Sequence, residues 1–204
     1  MKKQSSIVVP EGCKRVLLHA CCAPCSSAIV EWLLAHEIEP VIYYFNPNIY
    51  PQEEYEIRKN ESKRHAESLG ITWIDDDRLR VTGYGAAHEA WKEAMCGLEN
   101  EPERGRRCEK CFYYRLKRTA EKAKELGIEY FATTLASSRW KSLDQINAAG
   151  MRAAAECSGG EPLAFWAQNW RKDGLQERRN ALLKEYNFYN QLYCGCEYSR
   201  PKDL

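Results

Sequence analysis

Ten cysteines fall within 204 residues, and most of them lie in three tight groups. The first is Cys21-Cys22-Ala23-Pro24-Cys25, the second Cys108-Glu109-Lys110-Cys111 and the third Cys194-Gly195-Cys196; Cys13 stands just before the first, with Cys96 and Cys157 elsewhere. Secreted chains use such a count as a disulfide framework, but they are normally shorter and follow a leader with an apolar stretch. Residues 1–9, MKKQSSIVV, contain no such stretch. The thiols are therefore expected to be reduced, in the cytoplasm, and to bind metal or carry redox chemistry.

Hydrophobic residues at 44% and charged ones at 29% suit a folded core. The length fits one domain, expected to span residues 1–204 with its core over about 14–199. The most apolar window, residues 28–34, is short and broken by Glu31, so no membrane partner is expected. A net charge of +1 offers no global field to a nucleic acid, which would need a local patch. Arg104, Arg106, Arg107, Arg115, Lys117 and Arg118, interleaved with Phe112, Tyr113 and Tyr114, form one candidate: cations neutralise phosphates and rings stack on unpaired bases. Taken alone, the run reads more simply as a solvated helix face, and Arg171, Lys172, Arg178 and Arg179 have the same plain reading.

Short apolar runs bounded by turn residues predict strands over 15–20, 39–45, 71–74, 130–135 and 162–165. Helical spacing predicts helices over 26–36, 52–69, 85–98, 108–126, 142–155 and 175–186, two of them closed by Gly70 and Gly127. Such alternation implies right-handed crossovers and an α/β fold: a mostly parallel, doubly wound sheet in a single domain, with helical additions carrying cysteine motifs.

This architecture puts Cys21, Cys22 and Cys25 between the first strand and first helix, at the carboxyl edge of the sheet where open α/β folds bind ligands. A helix N-terminus favours thiolates there. Cys108 and Cys111 have chelating spacing at a helix start, a pattern shared with redox dithiols. A disulfide between Cys194 and Cys196 would be strained and easily reduced, which suits electron donation; the pair lies on a C-terminal segment expected to be mobile. His19 ends the first strand beside the cysteines, as a proton donor or a packed residue, whereas His36, His65 and His88 are expected to be exposed. Tyr43, Tyr44, Asn46 and Asn48 end the second strand at the same edge, within reach of a splayed base. Two other classes fit parts of the pattern. Cys22-Ala23-Pro24-Cys25 imitates a thioredoxin-like thiol oxidoreductase, and the Cys-x-x-Cys and Cys-x-Cys pairs could build the four-sulfur site of a zinc-stabilised RNA-binding module.

The segments LLHACCAPCS, FNPNIYPQEEYEIR, GLENEPERGRRCEKCFYYRL, TTLASSRWKSLDQIN and QLYCGCEYS, in that order, resemble the cobalamin-independent epoxyqueuosine reductase family of tRNA queuosine biosynthesis over residues 16–199. The chain differs from the family's usual pattern at Asn190, where arginine is common, and across residues 137–141. The resemblance implies a HUP-like fold, that is, one like the adenine nucleotide alpha-hydrolases. It also implies a [4Fe-4S] cluster on Cys21, Cys22, Cys108 and Cys111, and a redox-active disulfide between Cys194 and Cys196. The substrate it implies is tRNA carrying epoxyqueuosine in the anticodon loop, with Arg106, Arg107, Arg115, Asn46 and Asn48 as candidate contacts. Electrons come from a donor the sequence does not identify. Four cysteines leave a cluster no open iron, so Cys25, with Asp144 or Glu103, is expected to hold an additional mononuclear iron or to supply a proton.

Overall fold

The computed structural model describes residues 6–201, the side chains of 77–82 excepted. Its centre is β1 (Arg15–His19), whose Val16, Leu17 and Leu18 have no exposed surface. A strand covered on both faces must be apolar throughout, and each such side chain contributes roughly 1.5–3 kcal/mol by leaving water. Around it lie β2 (Glu39–Tyr44), β3 (Trp73–Asp75), β4 (Tyr130–Thr133) and β5 (Ala164–Phe165), all parallel, in the order β3-β2-β1-β4-β5. The register aligns His19 with Tyr43 on one side and with Thr133 on the other.

Six helices complete the described residues: α1 (Ala23–Ala35), α2 (Gln52–Ser68), α3 (Asp77–Ala94), α4 (Arg106–Glu125), α5 (Leu143–Ser158) and α6 (Leu175–Glu185). Helix α1 packs on α2 and α6, while α4 packs on α5, β1 and β4. Right-handed crossovers send β1-α1-β2 and β2-α2-β3 to one face and the later connections to the other. The chain order therefore reverses between β1 and β4, and the carboxyl ends of these two strands form the crevice where such sheets bind ligands. No described helix is long and apolar enough to cross a membrane.

Two elements differ from the sequence reading in ways that matter for the site. The helix expected over 85–98 runs from Asp77 to Ala94 and is interrupted at Gly83, whose φ of 79° is outside the helical region. Helix α4 begins at Arg106, two residues before the first cysteine. Glu101 accepts the Arg106 N–H at 3.1 Å, and a Cβ on Gly105 would lie 2.6 Å from that carboxylate. The glycine makes room for the acidic cap, and the cap sets Cys108 and Cys111 in the first turns of the helix.

Candidate active site: two groups of thiols beneath a C-terminal strap

The turn after β1 carries the first group. Cys22 precedes α1 with extended backbone, and Pro24 occupies the first helical turn, where its missing N–H costs nothing. The sulfurs of Cys21, Cys22 and Cys25 lie within 4.8 Å of one another. Those of Cys21 and Cys22 are 3.8 Å apart, both residues are buried, and Cys21 N–H donates to Thr134 Oγ1 at 3.2 Å. Hydrogen bonds from Cys22 and Cys25 hold the Cys21 thiol well below the ordinary range, against the effect of burial. Burial pushes Cys22 the other way, and its bond to Cys21 pushes Cys25 up to about 11. One thiolate shared among three sulfurs is a ready ligand set for a soft metal.

The second group surrounds a small pocket of about 40 Å³ lined by Cys108, Cys111, Cys194 and Cys196. Cys108 Sγ accepts the Arg104 N–H at 3.3 Å, and Cys194 Sγ accepts the Cys196 N–H at 3.4 Å. All four thiols are free. The Cys194 thiol is held down to about 6 by its bond to Cys196, whose own thiol is pushed up. Neither Cys108 nor Cys111 belongs to the close triad, so the structure divides the clustered cysteines as three and four. The two groups nevertheless adjoin. Glu103, Trp140, Lys141 and Cys194 line both this pocket and a cleft of about 790 Å³ that reaches Cys21 and Cys25. The Lys141 ammonium lowers the thiols of Cys21 and Cys194 alike. Asp144 is exposed in the first turn of α5 and lines neither cavity.

The third cysteine motif lies on a strap that follows α6 and is hydrogen-bonded to the body of the domain at several points. Gln191 Nε2 donates to Cys22 Sγ at 3.0 Å and approaches Cys25 Sγ at 3.6 Å. From α2, Arg58 donates to Tyr193 O at 3.1 Å and Cys194 O at 3.4 Å, and its guanidinium pairs with Glu54 at 2.5 Å. Tyr50 N–H donates to Gly195 O at 2.9 Å, and Ile49 bridges Cys196. Farther on, His88 meets Glu197 at 3.2 Å, and Arg107 donates to Ser199 Oγ at 3.0 Å.

The residues expected to contact RNA are placed differently from a solvated helix face. Arg107 and Arg115 are 2% and 3% exposed, Asn46 is fully buried and Asn48 nearly so. Arg107 donates to the carbonyls of Leu98, Glu99 and Glu101; Arg115 donates to Asn46 Oδ1, and Asn46 donates to Ala20 O. Arg106 is exposed and pairs with Glu101. Tyr43 and Tyr44 are buried, the former bonded to Asp76. His19 is fully buried, with its ring nitrogens on Thr133 Oγ1 and Phe45 O, and burial with the nearby Arg115 holds it down to about 4, hence neutral. His65 and His88 are buried rather than exposed, whereas His36 is exposed. Sequence reasoning missed Arg58, Lys141 and Gln191. A buried arginine in a polar helix gives no periodic signal, and the contact of Gln191 with Cys22 spans 169 residues.

A family model, epoxyqueuosine reductase QueH, matches residues 16–202. A protein of Haemophilus influenzae named epoxyqueuosine reductase QueH is 43% identical over 196 residues, covering 96% of this chain and 76% of its own length. Proteins of the same name from Acinetobacter baylyi and Thermotoga maritima are 42% and 32% identical; the alignments cover 97% and 90% of this chain and 86% and 89% of theirs. This chain, with its three cysteine groups gathered at the carboxyl edge of one parallel sheet, belongs to the epoxyqueuosine reductase QueH family.

Proposed function

We propose that the chain removes the epoxide oxygen of epoxyqueuosine carried in tRNA, giving the cyclopentene of queuosine, the last step of queuosine biosynthesis. The carrying observation is Cys194, half-buried, which lines both the four-thiol pocket and the cleft that reaches the triad. Its position lets one dithiol serve a ligand seated between them. The reaction consumes two electrons and two protons and releases one water. Cys194 and Cys196 supply both when they close to a disulfide: two S–H bonds break, one S–S bond forms, and the epoxide oxygen leaves as water. An external reductant then reopens the bridge.

The donor set suits a resident iron centre. Arg107 and Arg115 line the four-thiol pocket almost without solvent, and among the described residues neither pairs with a carboxylate. Buried cations require a counter-charge, and cysteine thiolates furnish it. We assign a [4Fe-4S] cluster to Cys21, Cys22, Cys108 and Cys111, and an additional mononuclear iron to Cys25 with Glu103. When bound, these centres supply single-electron transfer and Lewis acidity toward the epoxide oxygen. The protein's own part is positional. Gln191 steadies the sulfurs of Cys22 and Cys25, Arg58 fixes the Cys194 carbonyl, and Lys141 presents an ammonium toward Cys21 and Cys194. The β3-β2-β1-β4-β5 order supports a HUP-like architecture spanning residues 1–204. Reduced thiols and a tRNA substrate suit the cytoplasm.

The grouping of Cys108, Cys111, Cys194 and Cys196 around one pocket favours a second reading, in which these four hold the metal and Cys21 and Cys22 become the redox pair. Serine variants of Cys194 and Cys196, prepared anaerobically, separate the two. On the first reading they keep iron, sulfide and cluster absorbance but lose multiple-turnover reduction of epoxyqueuosine-containing tRNA; on the second they lose iron with activity. A variant retaining full multiple-turnover activity removes the dithiol mechanism altogether.

A further inference from the structure

Trp140 is 66% exposed at the mouth of the cleft, whereas Trp91, Trp166 and Trp170 are buried. Its backbone is firmly held. Arg104 donates to Trp140 O at 2.8 Å and to Arg139 O at 3.0 Å, and Arg171 donates to Lys141 O at 2.9 Å. A pinned segment that leaves a large indole in water forgoes its burial energy, and the ring lines both the cleft and the thiol pocket. Besides Arg58, which is paired with Glu54, four cations share the cleft wall: Arg139, Lys141, Arg171 and Arg179. Among the described residues none of them pairs with a carboxylate, unlike Arg178, which is bound to Glu31 at 2.7 Å, or Arg106, bound to Glu101. The Arg139 guanidinium lies over the indole, 4.8 Å from its centroid.

An exposed ring among unpaired cations has the chemistry of a single-stranded nucleic-acid site, in which bases stack on aromatic faces and phosphates meet arginine and lysine. We propose that Trp140 is a stacking platform for a nucleobase flanking the modified one in the tRNA anticodon loop, with Arg139, Lys141, Arg171 and Arg179 contacting the adjoining phosphates. The proposal rests on the tRNA substrate named above and moves the RNA-binding surface from the start of α4 to the cleft rim. An exposed platform binds ground and transition states alike, so it acts on KM rather than on kcat.

The test uses the full-length, metal-loaded protein and synthetic anticodon stem-loop RNA, measured by fluorescence anisotropy. Trp140→Ala is expected to weaken binding by about tenfold, Trp140→Phe by much less, within the range of base–aromatic stacking. Both keep the melting temperature of the parent, and Trp140→Ala raises KM while leaving kcat unchanged. An RNA with an abasic nucleotide in place of the stacked base, found by scanning the positions beside the modified one, binds the parent as weakly as intact RNA binds Trp140→Ala. The two losses do not add. Arg171→Gln and Arg179→Gln each flatten the salt dependence, by about 0.7 in the slope of log K against log salt for each phosphate no longer neutralised. Intact RNA binding Trp140→Ala as tightly as the parent, or additive losses, overturns the platform while leaving the tRNA substrate in place. Failure of the parent to bind the stem-loop at all overturns both.

Discussion

Replacing Gly195 with alanine tests whether the geometry of the strap matters or only its two thiols. Gly195 has a φ of +96°, a region that L-residues avoid at a cost of about 1–3 kcal/mol. A Cβ there would also lie 2.9 Å from Ile49 Cγ1 and 3.0 Å from Arg58 Nη1. Neither neighbour yields easily: Ile49 is buried and β-branched, and Arg58 is buried and paired with Glu54. Overpacking of this kind adds about 1–3 kcal/mol. The sum, about 2–6 kcal/mol, is a large fraction of the roughly 5–15 kcal/mol that keeps a typical domain folded. Undocking the strap relieves it without unfolding the sheet. Gly195→Ala should therefore melt only slightly below the parent, while Cys194 and Cys196 alkylate faster by peptide-resolved mass spectrometry and turnover falls sharply. Gly12→Ala is the control, since its φ of +73° carries the torsional cost but no atom lies within 4 Å of the added Cβ. Adding Ile49→Ala to Gly195→Ala removes the nearer clash and should restore part of the turnover. Parent-like alkylation and turnover in Gly195→Ala would refute the reasoning.

Two further outcomes follow from the site and its supports. Alanine at Cys108 or Cys111 should lower iron and sulfide together and abolish the cluster signal in electron paramagnetic resonance, whereas Cys25→Ala should lose iron alone; full retention in any variant removes that residue from the ligand set. His65 is buried edge-on to Tyr186 and Phe188, at 5.0 and 5.1 Å, and burial lowers its pKa. Between its folded value and the unfolded value of about 6.5 the unfolded chain binds the extra proton, so stability falls as pH drops below about 6.5. Urea unfolding of the parent should lose ground against His65→Gln from pH 7.5 to 5, and a constant difference would contradict this.

The strands and helices that build the crevice were legible because short apolar runs and helical spacing are local properties. RVLLH could only be a buried strand, and the turn after it had to deliver Cys21 and Cys22 to the sheet edge. The start of α3 was not legible, because Gly83 reads as a helix breaker and the segment before it carries no clear apolar period. Arginines were the larger loss. Nothing in ERGRRC distinguishes a solvated cation from Arg107, whose partners are carbonyls several residues upstream and Ser199, 92 positions away. For the same reason the cleft rim could not be assembled from sequence: Arg139 and Lys141 precede α5, whereas Arg171 and Arg179 flank the start of α6, and only the fold brings them to one wall.

The bond from Gln191 to Cys22 has a bearing on biosynthesis. While residues 191–199 remain in the ribosome, the turn that holds Cys21, Cys22 and Cys25 stands uncovered at the rim of a sheet whose strands have already emerged. Metal delivered then would meet thiols open to water and oxidants; metal delivered after the strap has docked would reach them through the cleft, whose wall includes Asn190, Gln191 and Cys194. If the turn holds the proposed iron, its insertion is thus tied to the emergence of the strap, and a change at Gln191 removes a hydrogen bond to Cys22, 169 residues earlier.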